Sequence, residues 1–93
     1  MTIDQPPADT EWIIEQSHRM NHPRTINSDS LEELRSRVQV MANWVPDHAR
    51  YTNPCGPLEF RYECDHQNLV TVVHAYFVGH NGLRKRFMKL RRN

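Results

Sequence analysis

Leu83-Arg-Lys-Arg-Phe-Met-Lys-Leu-Arg-Arg92 is the most cationic and most regularly striped stretch of the chain. Leu83, Phe87 and Leu90 stand at i, i+4 and i+7, which predicts a short basic C-terminal helix with Asn81 as its cap. The stripe can dock on the rest of the domain and leave Arg84, Lys85, Lys89, Arg91 and Arg92 outward. Six of the twelve Lys and Arg residues lie in this segment, and no Asp or Glu follows Asp65. A net charge of +1 therefore divides into about −5 on residues 1–65 and about +6 on residues 66–93. With no acid nearby in sequence, Arg84, Lys85, Arg86, Lys89, Arg91 and Arg92 form the candidate contact surface for an anionic partner.

Immediately upstream, Leu58-Glu-Phe-Arg-Tyr-Glu-Cys64 alternates apolar and polar residues as a half-buried strand does. Asp65-His-Gln-Asn68 supplies turn chemistry, and Leu69–Val78 is rich in β-branched and aromatic side chains. The two runs predict an antiparallel hairpin. If Asp65 pairs with Asn68, Leu58, Phe60, Tyr62 and Cys64 share one face with Ala75, Val73, Thr71 and Leu69. The other face then carries Glu59, Arg61 and Glu63, with Glu59 opposite His74.

Further back, Ser30-Leu-Glu-Glu33 has the form of a capping box. Leu31, Leu34, Val38, Met41 and Val45 follow on one stripe, and Pro46 ends the run, so a helix begins at Leu31. That stripe is expected to bury against Phe60, Tyr62 and Val73. Residues 46–57 carry three prolines and little periodicity and read as a loop. A shorter helix is expected from Asp9 or Thr10 to before Pro23, with Trp12, Ile13, Gln16 and Met20 along one side. Residues 1–8 read as a flexible arm, and residues 9–93 as one domain. The expected fold is thus a small α+β domain with two N-terminal helices, an antiparallel β-hairpin and a short basic C-terminal helix.

Length and composition exclude several classes. An apolar fraction of 38% supports one small core, so a partner or a homodimer can add stability. No apolar run approaches the length of a membrane span, and Met1–Pro7 lacks the features of a signal peptide. With Cys55 and Cys64 as the only cysteines, a cytoplasmic chain with reduced thiols, no cofactor and no membrane partner is expected. Cys55, Cys64, His66, His74 and His80 provide enough ligands for zinc, yet their spacing fits no familiar site, so no metal is expected. His18 and His22 read as surface residues.

No nucleophile motif or Gly-rich loop marks an enzyme. The polar sheet face of Glu59, Arg61, Glu63, His74 and Tyr76 reads first as a salt-bridge ladder. The hairpin and basic end, Leu58–Glu63, Leu69–Phe77 and Arg84–Arg86, resemble those of RelE/HigB-type toxins, small ribosome-dependent ribonucleases. That resemblance implies catalytic roles for Arg61 and His74 with the terminal arginines. The family opens with a strand and places another after its second helix, where helix and loop are expected here. The leading expectation is a non-enzymatic regulatory module whose basic end contacts nucleic acid, RNA or DNA. The alternatives are the ribonuclease and an inhibitor docking on an acidic protein surface.

Overall fold

The computed structural model describes residues 6–17, 22–45, 57–79 and 82–93. In chain order it comprises β1 (Thr10–Ser17), β2 (Thr25–Ser28), α1 (Leu31–Asn43), β3 (Glu59–Cys64), β4 (Val70–Val78) and β5 (Arg84–Arg92). The strands form one antiparallel sheet in the order β2-β1-β5-β4-β3, so the C-terminal strand lies at its centre. α1 joins the two edge strands and covers one face.

The second expected helix and the hairpin are present. Ser30 caps α1, its Oγ accepting from the Glu33 amide at 3.1 Å. The helix ends at Asn43, where the Trp44 and Val45 amides bond back to Met41 and Ala42 ahead of Pro46. Leu31, Leu34, Val38, Ala42 and Val45 are buried, and Met41 packs beside them with Phe60 and Tyr62. Two polar ties fix the helix to β3 and the residue before it: Arg35 donates to the Tyr62 hydroxyl at 2.6 Å, and the Leu58 amide donates to Gln39 at 2.8 Å.

The other two expected helices are strands, and the fold is a five-stranded sheet with a single helix among the described residues. In β5, Met88 and Leu90 point into the core while Lys89 and Arg91 point away, a period of two. The register against β4 slips at Ala75/Tyr76, where one extra β5 residue, Phe87, bulges inward beside Met88. Phe87 thereby meets Phe77, ring centres 5.2 Å apart. The same bulge produces the apparent helical spacing of Phe87 and Leu90; Leu83, the third member of that stripe, is 53% exposed. Asn81 lies outside the described residues. Gly79 bonds to Leu83 across the turn, and Gly82 adopts a φ of +79°, so the segment reverses the chain instead of starting a helix.

β1 is misread for a similar reason. Trp12 and Ile14 are buried and Ile13 lies on the opposite face, but the register to β5 shifts between Ile14 and Gln16, leaving Glu15 as the extra residue. Pairing on both sides, to β2 and to β5, then overrides the weak local helix signal. The hairpin register also differs from expectation by two residues: Phe60 opposes Ala75, Tyr62 opposes Val73 and Arg61 opposes His74. Its turn contains three residues, because Asp65 Oδ1 holds the Gln67 and Leu69 amides and Asn68 takes a φ of +62°. A second slip between Glu63 and Cys64 adds the remaining residue. A shift of two keeps residues 59–63 and 72–76 on their expected faces, but beyond the slip Val70, expected on the polar face, turns into the core.

Residues 1–5 of the expected arm and nearly all of the loop 46–57 lie outside the described residues; Pro6 is buried. No helix among the described residues is long and apolar enough to cross a membrane.

Candidate nucleic-acid interface

Alternation along the strands sends one set of side chains to α1 and the other to a face that no described element covers. On this open face β3 presents Glu59, Arg61 and Glu63, and β4 presents Val72, His74, Tyr76 and Val78. β5 presents Arg84, Arg86, Lys89 and Arg91, and β1 adds Ile13 and Glu15. The six expected contact residues therefore do not share one surface. Lys85 opposes the buried Phe77 and Arg92 opposes the buried Trp12, which places both on the helix side. The other four form a row along the central strand.

The cations are not isolated from acids, as the charge segregation suggests. Arg84 holds both oxygens of Glu59, one at 3.1 Å. Glu15 receives Arg91 at 2.5 Å and Lys89 at 3.3 Å, and Arg92 stands 4.0 Å from Asp65. These partners shift the carboxylates. Arg91 and then Lys89 hold Glu15 below the ordinary 4.5, and Arg84 does the same for Glu59. Glu59 in turn raises Arg84. Asp65 is lowered chiefly by the Leu69 and Gln67 amides.

The centre of the face is differently built. His74 and Tyr76 stack with ring centres 6.2 Å apart at 23°. Arg61 lies over the Tyr76 ring at 5.8 Å and 3.7 Å from Glu59. His74 bridges three strands: Nε2 contacts Glu63 on β3 at 2.6 Å, and Nδ1 contacts Arg86 on β5 at 3.4 Å. A guanidinium only donates, so the neutral tautomer that accepts from Arg86 at Nδ1 carries its proton at Nε2, facing Glu63. Arg86 is exposed and lies within 4.0 Å of no carboxylate among the described residues. Beside it opens a cleft of about 210 Å³ lined by Gln16, Ser17, Arg86 and Phe87. Ser17, opposite the buried Met88, has its hydroxyl buried without a hydrogen-bond partner.

Arg61 and His74, the residues of the enzymatic alternative, are direct cross-strand partners. The early strand that the RelE/HigB resemblance requires is present as β1. Of the potential zinc ligands, Cys55 and His80 lie outside the described residues, Cys64 is exposed with a free thiol, and His66 occupies the β3–β4 turn. The described residues contain no cluster of three potential metal ligands. His18 is likewise outside them, and His22 is exposed with Nδ1 2.7 Å from the Pro23 carbonyl.

Sequence reading identified Tyr76, Glu59 and Glu63 with this face but missed Glu15, whose partners lie more than seventy residues away. No protein-family model, curated protein or solved structure matches the chain.

Proposed function

We propose that the protein is a non-enzymatic binding module whose open sheet face takes up single-stranded nucleic acid. The observation that carries this reading is the His74–Tyr76 pair at the centre of an uncovered sheet, flanked by Arg61 and Arg86. Sheet-borne rings stack on unpaired bases, and nearby guanidinium groups hold the phosphates between them. Arg86 and the cleft beside it suit a phosphate.

Because Glu15 and Glu59 occupy Arg84, Lys89 and Arg91, few cations can exchange counterions for phosphates. Binding is therefore expected to be modest, with a salt dependence corresponding to about two or three phosphates in place of six. Titrations of single-stranded RNA, single-stranded DNA and duplex DNA at low and physiological salt test this. Tyr76→Ala and Arg86→Ala are expected to weaken single-strand binding about tenfold or more. Glu59→Gln releases Arg84 and is expected to tighten it. Duplex preference, or indifference to Tyr76→Ala, refutes the stacking face. Absence of binding even at low salt favours a protein partner, to which the mixed charges of this face are also suited.

The direct pairing of Arg61 with His74 favours the ribonuclease as a second reading. Incubation with ribosome-associated mRNA decides between them. Cleavage that Arg61→Ala abolishes supports the enzyme, and intact RNA supports the module.

A further inference from the structure

The two edges of the sheet are built differently. β3, at one edge, alternates Glu59, Arg61 and Glu63 along its length and slips register at Cys64, and both features discourage another strand from adding to it. β2, at the other edge, reads Thr25-Ile-Asn-Ser28, with no charge, proline or register slip. The Ile14 amide bonds to the Arg24 carbonyl at 3.1 Å, so Arg24, Ile26 and Ser28 turn their backbone groups toward β1. Thr25 and Asn27 therefore turn theirs outward. Directly beside this edge runs a groove of about 680 Å³ between β2 and α1, lined by Pro23, Ile26, Val40 and Met41 among others. On the same helix Val40 is 57% exposed, and Trp44, the residue that caps its end, is 80% exposed, the largest apolar exposures among the described residues.

We infer that β2 is a dimerisation edge, and that its occupant is β2 of a second copy of this chain. Antiparallel pairing about a two-fold axis at Ile26 sets Thr25 of each copy against Asn27 of the other. The outward groups are spaced so that all four residues exchange hydrogen bonds, four in total, with no donor or acceptor left over. The Ile26 side chains meet on the helix side, where the two grooves face each other. Strand pairing over four residues is too small to hold a dimer alone, so the exposed apolar side of α1 supplies the remaining contact. An axis perpendicular to the sheet keeps both helices on one side. The two open faces then join into one continuous surface, although the dimer does not depend on what that surface binds.

Sedimentation of the full chain from micromolar to millimolar concentration is the first measurement, with amide hydrogen exchange as the second. A concentration-dependent dimer is expected, with the Thr25 and Asn27 amides protected only where the dimer is populated. Thr25→Pro removes two of the four bonds while leaving the bonds to β1 intact, and is expected to weaken the dimer about tenfold or more. Val40→Lys, at an exposed helix position that leaves the fold unaltered, is expected to weaken it as well. A monomer at every concentration overturns the inference. So does a dimer in which these two amides exchange freely, or one that Val40→Lys leaves unchanged.

Discussion

On the helix-covered side of the sheet, Trp12, Val73, Ala75, Met88 and Leu90 are wholly buried, whereas Glu15, Arg61, Lys89 and Arg91 line the open side. The first set gains from leaving water; the second is held in pairs that water screens. Stability and recognition are thereby assigned to opposite sides of one backbone. The bulges at Glu15 and Phe87 are where that assignment is reset along a strand. Leu34→Ala is the hardest test of the division. Leu34 is fully buried on α1 against the sheet, and its truncation is expected to cost about 2–5 kcal/mol in denaturant melts. A loss below about half a kcal/mol would show that the covered side is not where the stability resides.

A smaller effect comes from the hairpin turns that give the strands their register. Asn68 holds a φ of +62°, where a β-carbon is crowded and an asparagine is tolerated better than most residues. Asn68→Ala is expected to destabilise by about 1 kcal/mol, and Asn68→Gly to be neutral or slightly stabilising. Equal melts for the two variants would mean that the turn does not constrain the sheet. These turns also show what was legible in the sequence. Asp65-His-Gln-Asn-Leu69 and Gly79-His-Asn-Gly-Leu83 close in the same way, with the fourth residue at positive φ and the fifth bonded back to the first. Recognising the second as a counterpart of the first would have made Arg84–Arg92 a strand.

α1 was readable because a cap and five apolar positions agree over four turns, a pattern that no strand reproduces. β5 was not, because one bulged phenylalanine converts a period of two into an apparent helical stripe. β1 was obscured in the same way by Glu15. Arg61 and His74 could be placed on one face from alternation alone, but their direct opposition needed the three-residue turn and the slip at Cys64. The pairing of the terminal cations with Glu15 and Glu59 depends on strand order, which local pattern does not carry.

Acid distinguishes the two sides without mutation. Glu15, Glu59 and Asp65 are lowered from their ordinary values in the folded chain, so each contributes stability above the unfolded value. That contribution is lost as pH falls through the lowered folded value. Thermal melts are therefore expected to be flat near neutrality and to decline once pH passes below the ordinary carboxylate range. A Glu15→Gln/Glu59→Gln variant, with two of the three groups removed, is expected to decline less steeply, and added salt to flatten the wild-type curve. An unchanged acid slope in the double variant would place its origin outside the open face.

The smallest expected effect on stability is also the one that most directly separates folding from binding. Arg86 is exposed, donates at 3.4 Å to His74 and has no carboxylate within pairing distance among the described residues, so it adds little to the fold. Arg86→Ala is expected to change stability by no more than about 0.5 kcal/mol while weakening single-strand binding. Lys89→Ala is the control, because Lys89 is already engaged with Glu15 3.3 Å away and has less charge to offer a phosphate. Its effect on binding is expected to be the smaller of the two. If Lys89→Ala matters as much as Arg86→Ala, the carboxylates of the open face yield their cations to the ligand, and the face acts as one basic row after all. If Arg86→Ala instead lowers the melting temperature as a core truncation does, the His74 bridge across β3, β4 and β5 is part of the scaffold, and the division between the two sides fails at its centre.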